Sequence, residues 1–380
     1  DLSCFSYPLP PDVRRLYEAG DFGRMELVIR RRLDDPCVPE ALKARLRVQL
    51  EMAYEIPRAY PYTQAQMLDI LQKNVSGFAE EELETLRDDG TLDWRYVNGE
   101  VRFKNNALSA LLKTRKEYAM RATDPDVMSG AKASTEQLSA MIAKMKANGG
   151  VRARFELHEE LTVRSDRLTE GETLRIHLPM PIVGAQVKRA ELLSASHPVA
   201  FLAPEDEPQR TIYFELPYEP GMTVSAEIAY EIDAPYAQPH AREVYAEQPM
   251  FDTEDLPPHV VFTPYLRALA KEIVGDETNA LLKARKIYDF ITTQTVYRFM
   301  PPYLTVPNIP EYFLSGLRGD CGVQAITFVT LCRLCGVPAQ WQSGLYTKPN
   351  SAGHHDWARF YVAPFGWLFA DCSFGGSAYR

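Results

Sequence analysis

The sequence predicts a multidomain chain: an α-helical N-terminal domain, an antiparallel β-sandwich, and an α+β C-terminal core. Three observations predict it. At 380 residues the chain exceeds what one hydrophobic core ordinarily serves. Apolar residues recur at three-to-four spacing up to about residue 147, then at strict two-residue spacing from Val151. From about residue 259, helical and strand-like runs mix within one stretch.

Residues 1–150 read as mostly helical, with apolar periodicity at 13–33, 40–56, 64–71 and 107–118. A β-hairpin interrupts them near 92–103. Leu92 to Val97 alternates, Asn98-Gly99 suits a turn with positive φ, and Val101-Arg102-Phe103 returns. Helices, a hairpin and another helix resemble a winged-helix arrangement, but the acidic run 80–89 disfavours DNA there. A scaffold or partner-docking role is expected instead. Residues 124–135 read as a break, and Ser134-Thr135-Glu136-Gln137 as the cap of a helix at 137–147. Gly149-Gly150 marks the first boundary. Short alternating runs at 151–157, 174–178, 211–216 and 224–232 predict the sandwich over 151–235. The Pro- and acid-rich stretch 236–258 reads as a linker or covering loop.

Within 259–380, Thr263-Pro264 opens one helix and 281–291 forms another, followed by an irregular segment at 301–310. Gly319-Asp320-Cys321 leads into a buried helix at 322–334, stopped by Gly336-Val337-Pro338. Strands are expected at 339–345, 357–362 and 367–371, with no repeat or low-complexity tract in the chain.

Composition excludes several classes. A net charge of −9 argues against nucleic-acid binding, which needs a basic field. No apolar run is long enough to span a bilayer. No signal peptide is visible over residues 1–11, so the expected compartment is cytoplasmic. The six cysteines, Cys4, Cys37, Cys321, Cys332, Cys335 and Cys372, are scattered and read as free thiols, with one or two bridges as the alternative. No second Cys or His pair has zinc spacing, and neither metal nor cofactor is expected. Oligomeric state is left open.

One constellation carries chemistry. Cys321 sits where a loop enters a helix, and the free N–H groups of a helix N-terminus favour thiolate. Alone it reads as a buried core cysteine. His355 alters that reading, because 355–362 is strand-like and places His355, Trp357, Arg359 and Tyr361 on one face. The turn Ala363-Pro364-Phe365-Gly366 returns the chain so that Asp371 comes near the level of His355. A carboxylate there can hold one imidazole nitrogen while the other takes the thiol proton.

Gly319-Asp320-Cys321-Gly322, Leu334-Cys335-Gly336-Val337-Pro338-Ala339, Gly344, His355-Asp356-Trp357 and Gly366-Trp367 through Asp371 together resemble the transglutaminase-like superfamily core. The resemblance covers roughly 259–380. It implies a papain-like fold for that part, with nucleophile Cys321, acid–base His355 and orienting Asp371. The preceding sandwich resembles the β-domain found before this core in many bacterial members. Two departures stand out: Gln340 follows Ala339 where the family often has Arg, and the sequence given ends nine positions after Asp371.

The expected chemistry is acyl transfer on a peptide or protein substrate. The Cys321 N–H is one oxyanion donor; Tyr297 and Tyr303 are candidates for a second, and Trp357 for a cleft wall. Hydrolysis is preferred on the resemblance. Alternatives are transamidation by the same triad, or a non-catalytic protein that binds peptide or glycan. Cys332 and Cys335 sit ~16 to ~21 Å along the helix from Cys321 and read as core. Cys372 reads the same way, His354 as a rim residue, Trp367 like Trp357 as a cleft wall or equally a packing residue, and Arg359 as solvated or ion-paired.

Overall fold

The computed structural model describes residues 3–164, 167–349 and 351–378; Asp1, from which the leader reading begins, lies outside them. The fold is mixed α/β, with helices and mainly antiparallel sheets. Contacts divide it into two units. The first joins Asp1–Ala133, His240–Gln342 and Asp356–Arg380; the second joins Ser134–Pro239 and Ser343–His355.

The apolar periodicity at 13–33 makes two helices, α1 (Pro11–Glu18) and α2 (Phe22–Asp34), not one. Gly20 breaks it, at φ +71° and with the Tyr96 carbonyl where a Cβ would stand. Then come α3 (Glu40–Ala59), β1 (Tyr62–Thr63) and α4 (Gln64–Asn74), the last opened by a Thr63/Gln66 capping box. α5 (Glu80–Asp88) leads to β2 (Trp94–Val97) and β3 (Glu100–Phe103), antiparallel about Asn98-Gly99. α6 (Ala107–Thr114), α7 (Lys116–Ala119) and α8 (Asp126–Asn148) follow. α8 starts well before residue 137, because the Asp124 carboxylate accepts the Asp126 N–H at 2.9 Å and supports its first turn. Val13, Met25, Ile29, Leu46, Met52 and Ile56 form the core beneath α1 to α3.

The second unit holds β4 (Gly150–Thr162), β5 (Thr173–Pro179), β6 (Val187–Ala195), β7 (Phe201–Leu202), β8 (Thr211–Pro217) and β9 (Thr223–Pro235). They pair antiparallel in the orders β4-β9-β6 and β5-β8-β7 over a shared core that includes Ile176, Phe214 and Ile228. β6 escapes period-two reading because its register slips twice against β9. β7 escapes it because it is a two-residue, exposed strand.

Back in the first unit, α9 (Pro264–Val274) starts at Thr263, whose hydroxyl accepts the Leu266 N–H at 3.3 Å. α10 (Ala280–Gln294) runs into β10 (Val296–Tyr297). The stretch read as irregular contains a 3₁₀ turn, Tyr303–Thr305, and the start of α11 (Ile309–Gly316). β11 (Arg318–Gly319) pairs in parallel with β10 and feeds α12 (Cys321–Leu334). α12 is apolar all round, as befits a helix enclosed by α9, α10, α11 and a sheet. That sheet is β12 (Ala339–Lys348), β13 (Ser351–Val362) and β14 (Gly366–Ala370), followed by α13 (Cys372–Ala378), a helix the sequence reading lacked. Phe328 of α12 meets Phe360 of β13 edge-on at 5.7 Å. The segment after His240 lies against the β13–β14 turn: the Tyr245 N–H and the Gln248 amide both donate to the Ala363 carbonyl, at 3.1 and 3.3 Å.

Candidate functional site

Asp320 is the N-cap of α12. Its Oδ1 accepts the Val323 N–H at 3.2 Å and the Tyr303 hydroxyl at 2.5 Å, and its Oδ2 accepts the Met300 N–H at 3.4 Å. Burial pushes its carboxyl up from the usual range, and the Tyr303 hydrogen bond opposes that shift. With the cap so held, Cys321 becomes the first helical residue, where unpaired N–H groups converge. Ten of the next eleven residues of α12 are buried, yet Cys321 itself stays partly exposed. A reactive thiol needs that combination of fixed backbone and open face.

The Cys321 thiol donates to Asp356 Oδ2 at 3.7 Å. Asp356 shares its face of β13 with the buried Ala358, Phe360 and Val362, which pack toward α12. Gly322 makes room for this arrangement: a Cβ there would lie 2.7 Å from Asp356 Oδ2 and collide with the Tyr303 hydroxyl. Asp356 is a contact the sequence reading missed. The only signal for it was its place between His355 and Trp357.

His355 precedes Asp356 on β13 and falls in the second unit, where its ring stands 6.2 Å from that of Tyr346, edge to face. Asp371 follows β14. Its Oδ1 accepts the Phe374 N–H at 2.9 Å and the Ser373 hydroxyl at 3.0 Å, capping α13. The β13–β14 register aligns Ala358 with Ala370 and Arg359 with Phe369. Trp357 donates its indole N–H to Gln342 at 3.0 Å. Gln340, at the departure from the family pattern, joins Asp252 at 2.5 Å and accepts the Arg359 guanidinium at 2.7 Å. Arg359 also lies 4.5 Å over the Trp367 ring, so it is engaged within the protein.

Tyr297 and Tyr303 both face the neighbourhood of Cys321. Burial raises the pKa of each, and the charges of Asp320, Asp356 and Cys321 add to it. They differ in one respect. The Tyr303 hydroxyl is committed to Asp320, whereas among the described residues that of Tyr297 makes no hydrogen bond. Above the Tyr297 ring, 3.5 Å from its centroid, stands the ammonium of Lys113.

All six cysteines are free thiols. Cys332 and Cys372 lie in the core around α12, and burial raises both thiols well above their usual range. Among the described residues, no helix is long and apolar enough to cross a membrane and no cluster of three or more His, Cys, Asp or Glu could hold a metal ion. A recess of about 700 Å³ lies in the second unit among Arg175, His177, Phe201, Gln209 and Tyr213. No thiol lines it.

Residues 267–372 match the family described as the transglutaminase-like superfamily. No curated protein matches the chain. Among solved structures, a "Putative Cysteine Protease" from Cytophaga hutchinsonii is similar at 18% identity and TM-score 0.45, covering 59% of this chain and 78% of that one. The periplasmic domain of TgpA from Pseudomonas aeruginosa, bound to ethylmercury, is similar at 16% identity and TM-score 0.31, covering 63% and 95%.

Proposed function

We propose that the transglutaminase-like segment, residues 267–372, is the catalytic part of a papain-like cysteine enzyme that hydrolyses a peptide or amide bond through Cys321, His355 and Asp371. One observation carries the reading: Cys321 is the partly exposed first residue of a helix that is otherwise enclosed.

In this reading Cys321 Sγ attacks the scissile carbonyl carbon, and its proton passes to His355. The carbonyl oxygen becomes an oxyanion, received by the Cys321 N–H and by the Tyr297 hydroxyl, the tyrosine whose proton is uncommitted. Collapse breaks the C–N bond, His355 protonates the departing amine, and a thioester remains. Water, deprotonated by His355, then attacks the thioester; the acid is released and the thiol is restored. Asp371 orients the imidazole. The Asp356 carboxylate holds the thiol proton in the resting protein. An amine in place of water would make the enzyme a transamidase.

The test is alkylation of Cys321 by an iodoacetamide probe, read by peptide mass. Native protein should label at Cys321 well ahead of the exposed Cys37, His355→Ala should slow that labelling, and Cys321→Ala should abolish it. Equal rates in native and His355→Ala protein would remove His355 from the reaction. Adding a primary amine to a preformed acyl-enzyme then separates the two chemistries: accelerated release with incorporation of the amine means transamidation. A second reading, a peptide- or glycan-binding protein, draws on the recess around the exposed Phe201. It predicts ligand binding with Cys321 alkylated and no turnover.

A further inference from the structure

Lys113 is separated from the nucleophile by most of the chain, yet the fold carries it to the same place. It sits in the last turn of α6, which packs against β10. β10 aligns Tyr297 with Gly319 of β11, and Cys321 follows two residues later, roughly 7 Å along the chain. The Lys113 ammonium lies 3.5 Å from the Tyr297 ring centroid and 5.3 Å from that of Phe299. Two aromatic faces therefore fix its position without supplying a counter-charge. Among the described residues it makes no ion pair and no hydrogen bond. Its three N–H donors are available.

The electrostatics of the neighbourhood agree. Lys113 is solvent-exposed, while surrounding protein lowers its pKa by desolvation and the charges of Cys321 and Asp320 oppose that shift. The anions nearby are engaged elsewhere: Asp320 by Tyr303, Val323 and Met300, and Asp356 by the thiol. A cation with no ion pair or hydrogen bond among the described residues, held against two aromatic rings at electrostatic range of a nucleophile, is a receptor for an anionic group.

We propose that Lys113 is a specificity-determining residue that receives a carboxylate of the substrate close to the acyl carbon attacked by Cys321. This rests on Cys321 being the nucleophile. It assigns the N-terminal helices a part in substrate choice, with peptides acidic near the scissile bond as the favoured class.

Iodoacetate and iodoacetamide test it without knowledge of the substrate, since they differ in a carboxylate next to the electrophilic carbon. The iodoacetate-to-iodoacetamide rate ratio is measured at Cys321 and, as an internal reference, at the exposed Cys37. The ratio at Cys321 should exceed that at Cys37 roughly tenfold, fall to the Cys37 value in Lys113→Met, persist in Lys113→Arg, and decline with added salt. If Cys321 labels quickly with both reagents but its ratio matches that of Cys37, Lys113 receives no anion and the proposal fails alone. If Cys321 labels no faster than Cys37 with either reagent, the nucleophile reading fails first. Should Lys113→Met not fold, Lys113→Gln, which also removes the charge, is measured in the same way; a ratio unchanged from the native protein overturns the proposal.

Discussion

A carboxylate placed against a thiol and a carboxylate placed among hydrocarbons behave differently, and this chain has one of each. Asp356 accepts the Cys321 thiol hydrogen at 3.7 Å, and that bond must break before the sulfur can attack. Asp356→Asn is expected to raise the iodoacetamide rate at Cys321 several-fold at neutral pH; a slower rate would mean that Asp356 itself accepts the proton during attack. Glu159 extends from β4 with neither carboxylate oxygen hydrogen-bonded among the described residues. Burial pushes its pKa up from 4.5 to about 7. The sign follows from linkage. The folded state holds this proton more tightly than the unfolded chain, so the stability is fully present below 4.5 and is lost as pH rises through about 7. Glu159→Gln should therefore stabilise the second unit at pH 8 by about 1–2 kcal/mol, a figure reduced for the water that reaches this half-buried side chain, and should do little at pH 4. Chemical denaturation at the two pH values checks it.

Element boundaries in the sequence were readable where a side chain caps or a glycine turns the chain. Thr263 before Pro264 and the Asn98-Gly99 hairpin both rest on local chemistry. The misread elements have both local and distant causes: the Asp124 contact that starts α8 early and the Asp371 cap of α13 are local, the slipped pairing of β6 is not. The break within residues 13–33 is local: Gly20 turns the chain at positive φ and the Asp21 carboxylate caps α2 at the Arg24 N–H, while the Tyr96 carbonyl closes on Gly20. The strand β6 was lost to its slipped pairing with β9. Because the Asp320 cap is local, its worth can be measured locally. Asp320→Ala removes the acceptor for both Val323 N–H and the Tyr303 hydroxyl and should cost about 1–2 kcal/mol. Asp320→Asn, which keeps an oxygen for the cap, should lose less. Thermal melts order the three proteins, and an Asn variant as unstable as Ala would show that the carboxylate's charge, not its cap, holds the helix.

Across the whole of the first unit, the N-terminal helices and the α12 core are joined by buried charge. Asp93 pairs with Arg298 and accepts the Tyr60 hydroxyl at 3.0 Å, and Asp93 is only 6% exposed. Lys104, buried beside them, donates to Asn106 at 2.9 Å and interacts electrostatically with Asp93 and Asp320. Tyr17 reaches the Thr305 carbonyl at 3.0 Å, and Arg318 the Asp89 carbonyl at 2.8 Å. Removing one member of such a pair leaves the other charged and buried. Asp93→Ala is expected to destabilise by about 3–5 kcal/mol, more than a surface carboxylate could. The helices and the α12 core should then melt together in a single calorimetric transition at lower temperature; separate transitions for the two parts would refute their coupling.

The sequence by itself determined the alternation of helical and strand-like stretches, the order Cys321, His355, Asp371, and the resemblance that goes with it. Periodicity and capping are properties of neighbouring residues, and a family motif is a string. Tertiary structure alone decided that Asp356 meets the thiol, that Tyr303 is committed to Asp320 while Tyr297 is not, and that Lys113 stands over Tyr297. These depend on contacts between segments far apart in the chain. A contact of that kind leaves no local pattern, because its geometry is set by the packing of whole helices and sheets and not by the residues on either side.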